Sequence, residues 1–246
     1  MKLMTIWLTN KCNFDCYYCV AKGGIEPPGF ELPPHDPARR INNKDLLAWI
    51  KKWLNPKEWV LEFTGGEPGL YPEIDELIPE LTSLGYFGAI QTNGSLPIPH
   101  SPNFVRTAAW HFDKRPKFYD TMIIIKIPDG TWAKKEKWCK ENGVPYRLTQ
   151  FNKAFENLQT VMPEPEPCVI THYGFINAYG QIANCHKEPF NEEKSIRAMS
   201  PPPNFKLADS CPHCGNVKAV EYALEKLLFP PKNGKFMCEY PTRRDF

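Results

Sequence analysis

The sequence predicts an α/β fold: a partial (β/α)6 barrel over residues 1–160, followed by a small C-terminal β-hairpin plus helix unit over residues 161–246. Three observations carry that expectation. Short apolar runs alternate with segments of helical periodicity, which implies a parallel sheet with right-handed crossovers. About six such runs precede the proline-rich stretch Met162–Pro167, too few for a closed eight-unit barrel. Beyond that stretch the pattern changes to a hairpin and cysteine-bearing loops.

Each element has a local reason. Lys2–Thr9 is strand-like and runs directly into the first cysteine loop. Asn43–Leu54 reads as a helix, with Asn43 as its cap and Leu46, Leu47, Ile50, Trp53 and Leu54 at helical spacing. Trp59–Phe63 is a short apolar strand ending in Thr64-Gly65-Gly66-Glu67-Pro68. Ile74, Leu77, Ile78 and Leu81 mark a second helix, closed by Gly85. Tyr86–Thr92 is a strand ending at Asn93-Gly94. Val105–Phe112 and Thr121–Ile127 are two further strands, with little room for a helix between them. Trp132–Glu141 is helical, Gly143 stops it, and Pro145–Phe151 is the sixth strand. In the C-terminal unit, His172–Asn177 and Gln181–Cys185 form a hairpin turning at Ala178-Tyr179-Gly180. A loop with Cys211-Pro212-His213-Cys214 then precedes an amphipathic helix at Val217–Phe229. Every chemically suggestive motif of the first 160 residues follows a strand, which is where parallel α/β folds bind ligands.

Composition narrows the chemistry. Thirty basic against 28 acidic residues leave no strong polyanion-binding field. No apolar run approaches a membrane span, and the N-terminus lacks a signal-peptide pattern, so a cytoplasmic location without membrane association is expected. The nine cysteines are an odd count in metal-ligand spacings, not a disulfide framework. Cys139, within a helix, reads as a core thiol.

Cys12, Cys16 and Cys19 stand in one loop with three and then two residues between them. Iron–sulfur cubanes normally take four thiolates, so three close ligands leave one iron open. A structural zinc site needs a fourth ligand, and no Cys or His lies between Cys19 and His35. This loop resembles the signature of the radical S-adenosylmethionine (SAM) superfamily, Cys-x3-Cys-x-aromatic-Cys after the first strand, with Tyr18 at the aromatic position near the SAM adenine. Gly65-Gly66-Glu67-Pro68 after the next strand resembles the family's GGEP motif. The resemblance implies a 4Fe–4S cluster whose open iron is chelated by SAM, and reductive cleavage to a 5′-deoxyadenosyl radical. It implies that the glycines let the backbone approach SAM, whose amino group backbone and carboxylate groups receive. Gln91 and Asn93 fall where the family often places polar SAM contacts, although a plain turn explains them equally. His111 is either a substrate contact or a packed histidine, and Lys126 either a pocket cation or an edge-strand charge. Arg147 and Gln150 are open in the same way.

Cys168, with eleven residues to Gly180 and four more to Cys185, followed by Cys211-x2-Cys214, resembles the Twitch form, a shortened SPASM extension of the same superfamily. The resemblance implies a second, auxiliary 4Fe–4S cluster on Cys168, Cys185, Cys211 and Cys214. A zinc ribbon uses the same ligand types and stays open as an alternative, and Cys238 stands as a substitute ligand.

The expected function is hydrogen abstraction from a small-molecule or nucleotide-like substrate, conceivably a DNA-linked base, leading to oxidation or rearrangement. Modification of a ribosomal peptide is a second reading, and a non-catalytic zinc-binding module a third. A flavodoxin or ferredoxin is the expected electron donor.

Overall fold

The structure is a computed structural model describing residues 2–16, 19, 35–126, 130–150, 173–183, 193–202 and 237–239. It is an α/β fold built on one mostly parallel sheet. The strands are β1 (Lys2–Thr9), β2 (Trp59–Gly65), β3 (Gly88–Thr92), β4 (Phe104–Ala109), β5 (Thr121–Lys126), β6 (Tyr146–Gln150), β7 (Tyr173–Ile176), β8 (Ile182–Ala183) and β9 (Met237–Glu239). Their order across the sheet is β8-β7-β1-β2-β3-β4-β5-β6-β9. All neighbours are parallel except the β7–β8 hairpin. The helices are α1 (Asn43–Trp53), α2 (Ile74–Ser83) and α3 (Thr131–Glu141). None of them is long and apolar enough to cross a membrane.

Alternation along the strands decides what faces the helices. Met4, Ile6 and Leu8 of β1, Trp59, Leu61 and Phe63 of β2, and Ile90 of β3 join Leu46, Trp49 and Ile50 of α1 and Leu77, Ile78 and Leu81 of α2 in one core. A second core packs Met122 and Ile124 of β5 and Tyr146 and Leu148 of β6 against Cys139 of α3, so Cys139 is the core thiol expected of it. The intervening residues of each strand, among them Thr5, Glu62 and Gln91, turn to the other face.

Several boundaries move, three of them for a visible local reason. The helix cap is Asn42, whose extended backbone (φ −75°, ψ 125°) lets its side chain accept from the Asp45 N–H; Asn43 is already helical. The third strand starts at Gly88, opposite Leu61 of β2, where the two backbones come so close that a Cβ on Gly88 would lie 1.7 Å from the Leu61 carbonyl oxygen. β4 ends at Ala109, three residues early. The His111 N–H donates back to the Ala109 carbonyl at 3.1 Å, and Phe112 takes a left-handed φ of 49°. Gly85 closes α2 as expected, with φ 81° and its N–H donating to the Thr82 carbonyl.

The hairpin expected in the C-terminal unit extends the main sheet. β7 lies parallel to β1, with Leu3 opposite Tyr173 and Ile6 opposite Ile176, and Trp7 meets Phe175 edge-on at 5.5 Å. Residues 193–202 return to α1, where the Trp49 and Trp53 indole N–H groups donate to the Ser200 and Met199 carbonyls. The helix expected at Val217–Phe229 lies outside the described residues.

One ion pair ties β4 to the loop before β5. The Arg106 guanidinium grips Asp120 through Nε at 3.1 Å and Nη2 at 2.6 Å, while the Arg106 N–H donates to the same carboxylate at 2.8 Å. Burial pushes the Asp120 carboxyl up, but the Arg106 hydrogen bonds and the Arg106 and His100 charges outweigh it and hold it below its ordinary value. A depressed carboxyl contributes stability above its unfolded value and loses it as pH falls through the folded one. Asp120→Asn should therefore cost about 1–3 kcal/mol near neutral pH. In denaturant titrations the gap to wild type should close in acid.

Candidate active site

The C-terminal ends of β1, β2 and β3 meet around two motifs, the cysteine loop and the Gly65-Gly66-Glu67-Pro68 turn. β1 does not stop pairing at Thr9. The Gly66 N–H donates to the Thr9 carbonyl at 2.7 Å, and the Glu67 N–H to the Lys11 carbonyl at 2.8 Å, immediately before Cys12. On the other side the Asn10 N–H donates to the Arg39 carbonyl at 2.9 Å. The residues leading into the cysteine loop are thus clamped between two backbones.

The glycines owe their identity to this clamp. A Cβ on Gly65, which sits at φ 125°, would come within 2.5 Å of the Thr9 carbonyl oxygen, and one on Gly66 within 2.1 Å of the Lys11 carbonyl oxygen. Both distances are far inside any carbon–oxygen contact. The space their missing side chains leave is taken by the backbone of residues 9–11.

Glu67 is equally committed. Its side chain is 0% exposed. One carboxylate oxygen accepts from the Thr92 hydroxyl at 2.6 Å and the Gly69 N–H at 2.9 Å, and the other from the Asn93 N–H at 2.7 Å. Burial pushes the carboxyl up from its ordinary value, against the pull of Thr92, Asn93 and Gly69. So enclosed, the carboxylate fastens the end of β2 to the end of β3. Pro68 opens the short 3-10 turn Pro68–Leu70 and is buried.

Asn93 likewise holds the loop. Its Nδ2 donates to Asn13 Oδ1 at 2.8 Å, and Asn13 Nδ2 donates to Ser95 Oγ at 2.9 Å. Asn13 lies between Cys12 and Cys16, so the loop is pinned to β3 as well as to β2. Gln91 donates its amide to Glu62, which also accepts from the Thr5 hydroxyl at 2.7 Å. Thr5, Glu62 and Gln91 thus form a polar row across β1, β2 and β3, on the face away from the helices. Sequence reasoning missed Glu62, Asn13 and Ser95. A carboxylate inside the otherwise apolar run Trp59–Phe63 was the available signal for the first; the other two carried none.

Cys12, Cys16 and Cys19 are half-buried and in no disulfide. The Cys19 N–H donates to the Cys16 carbonyl at 3.0 Å, and the Phe14 N–H points at Cys12 Sγ at 3.4 Å. Beyond the end of β4, His111 Nδ1 lies 3.7 Å from Cys16 Sγ. Burial first, and the Lys135 charge second, push its imidazole down to about 4. Lys135 is itself buried on α3 and donates to the Trp110 carbonyl at 3.1 Å. Lys126 ends β5 in register with Gln150 of β6, and Arg147 stands opposite Ile123; the side chains of Lys126 and Gln150 are not among those described. Tyr18, Cys168, Cys185, Cys211 and Cys214 lie outside the described residues, and β9 brings the Cys238 backbone beside Arg147.

Among the described residues no three His, Cys, Asp or Glu side chains converge on the volume of a single ion. Ligands of a cubane need not, because each thiolate meets a different iron. The donor set fits such a cluster: soft sulfurs on one braced loop, with the Phe14 N–H directed at Cys12 and the His111 ring nitrogen beside Cys16.

Two variants test the framework. Glu67→Ala would leave three buried donors without an acceptor and should cost about 3 kcal/mol or more in denaturant unfolding. Gly66→Val should displace Lys11 and with it Cys12, so the reconstituted variant should lose its visible iron–sulfur absorbance rather than SAM affinity alone.

A family model described as the Radical SAM superfamily matches residues 6–106, from β1 through the cysteine loop and the glycine turn to β4. The chain is 30% identical over 98 residues to 7-carboxy-7-deazaguanine synthase of Haemophilus influenzae, covering 40% of this chain and 39% of that protein. It is 32% identical over 96 residues to GTP 3′,8-cyclase of Microcystis aeruginosa, covering 38% and 27%. The match spans well under half the length of either relative. Among solved structures, Streptococcus suis SuiB bound to precursor peptide SuiA superimposes with a TM-score of 0.56 at 13% identity, covering 96% of this chain and 74% of that one. Native anSMEcpe with bound AdoMet gives 0.52 at 12% identity, covering 80% and 79%. At these identities the structural likeness is one of fold, and it agrees with the sequence relationship: residues 6–106 match the radical SAM superfamily of enzymes.

Proposed function

We propose that the chain binds a 4Fe–4S cluster on Cys12, Cys16 and Cys19, and uses SAM to abstract hydrogen from a small guanine-derived or nucleotide-like substrate. The observation that carries this reading is the cysteine loop itself, held by Gly66, Glu67 and Asn93 at the C-terminal end of a parallel sheet. When bound, the cluster and SAM supply a reductively generated 5′-deoxyadenosyl radical. The chain's own part is to hold and orient. Three thiolates anchor the iron. The backbone of Gly65–Glu67 lies beside them to receive the SAM amino group, and Tyr18 is the aromatic neighbour of the adenine. Strands β1–β6 are the wall of an open barrel around the substrate.

The guanine-type substrate is favoured by the two relatives, whose names specify GTP and a deazaguanine. Glu62 adds a reason from this chain. Its half-buried carboxylate accepts from Thr5 and Gln91 and keeps further lone pairs. Such a group suits a substrate edge with adjacent N–H donors, as guanine has. Lys126, at the end of β5, is a candidate cation. Residues 161–246 are read as a Twitch-type unit holding an auxiliary 4Fe–4S cluster on Cys168, Cys185, Cys211 and Cys214. Electrons come from a flavodoxin or ferredoxin.

Anaerobic reconstitution should give about eight irons per chain, two cubanes' worth; about four irons with one zinc would replace the auxiliary cluster by a zinc ribbon. With dithionite and SAM the wild type should form 5′-deoxyadenosine, and Cys12→Ala, Cys16→Ala and Cys19→Ala should not. Deuterated guanine nucleosides and nucleotides should transfer deuterium into that product. Transfer from a peptide alone would overturn the guanine-type substrate in favour of peptide modification.

A further inference from the structure

His111 occupies a place that neither strand pairing nor core packing demands. The chain turns directly after β4, with the Lys114 N–H donating to the His111 carbonyl at 3.1 Å, and this turn lays the imidazole on the cysteine loop. The ring meets Phe14 edge-on, centroids 6.0 Å apart, and Lys114 Nζ covers Phe14 at 4.8 Å from its ring centre. Phe14 is two residues from Cys16, so the ring is steered by the loop whose sulfur it faces. The facing atom is Nδ1, 3.7 Å from Cys16 Sγ, within reach of an N–H···S hydrogen bond.

We propose that His111 is a positioning residue for the cluster, donating its Nδ1–H to the Cys16 thiolate and thereby setting the cluster's reduction potential. The inference rests on the proposal that Cys16 ligates iron. Reduction adds a negative charge to the cluster, and a donor on a ligating sulfur stabilises the more negative state. His111 therefore makes the cluster easier to reduce. The backbone does the same at Cys12 through the Phe14 N–H, but the His111 donor is the one a substitution can remove. A purely packing role for the ring needs only its shape, which phenylalanine keeps. The donor role needs a nitrogen near the Nδ1 position, which asparagine keeps.

The test is an EPR-monitored redox titration of the full, anaerobically reconstituted chain without SAM, following the signal that Cys12→Ala removes. His111→Phe should shift the midpoint to more negative potential by the equivalent of a tenfold fall in the reduction equilibrium constant, about 59 mV for one electron, and His111→Asn should recover most of it. An unshifted midpoint in His111→Phe overturns the proposal. Should that variant fail to assemble a cluster, wild type carrying 15N-labelled histidine decides. A nitrogen hyperfine coupling on the reduced cluster is expected in pulsed EPR, and its absence overturns the hydrogen bond. If Cys12→Ala removed no signal, the ligand assignment would fall and this inference with it, a result distinct from an unshifted midpoint.

Discussion

The Glu67 carboxylate, enclosed away from water and accepting from Thr92, Asn93 and Gly69, is the constraint around which the end of this sheet is organised. Parallel strands pair along their lengths, but nothing in that pairing fixes where the loops beyond their ends go. Glu67 does so by joining β2 to β3 through its side chain and to the continuation of β1 through its backbone N–H. A buried carboxylate is tolerable only when its lone pairs find donors, so Thr92 and Asn93 have to be where they are. The three strand ends are consequently one unit.

That unit explains the cysteine loop. Three cysteines on one loop keep a common arrangement only when the loop is braced, and short polar turns do not do this unaided. Here Lys11 is held from the glycine turn and Asn13 from the turn after β3, so both sides of Cys12 are fixed. The glycines belong to the same device. Their missing side chains allow the backbones of β1 and β2 to close on each other at a distance no other residue permits. A motif that signals ligand binding in the sequence is thus, in the fold, first a packing motif.

The face of the sheet away from the helices is polar where it approaches this unit. Thr5, Glu62 and Gln91 form a hydrogen-bonded row across three strands, while the same strands bury Ile6, Phe63 and Ile90 on their other side. Period-two alternation produces both surfaces from the same few residues. The row holds a carboxylate in a fixed orientation on that face. Rigid strands rather than loops supply it, which suits a group meant to orient another molecule.

By itself the sequence determined the elements and the motifs. Helical and strand periodicity, Gly85 as a stop, and the placement of the cysteine loop and glycine turn after successive strands are local properties, and the chain forms them as read. Offsets at Asn42, Gly88 and Ala109 are also local, and arise where backbone capping and close crossing outweigh side-chain pattern. Tertiary structure decided everything that depends on which chain ends meet. It gave Gly65 and Gly66 a neighbouring carbonyl, gave the Glu67 carboxylate its three donors, and turned His111 away from the strand end onto Cys16. It also made Glu62 part of a polar row and set β7 beside β1. Gly69 apart, none of these partners lies within a few residues in the chain. A hydrogen bond between residues tens of positions apart is fixed by sheet register and by the paths of the loops, and neither leaves a periodic trace in the sequence.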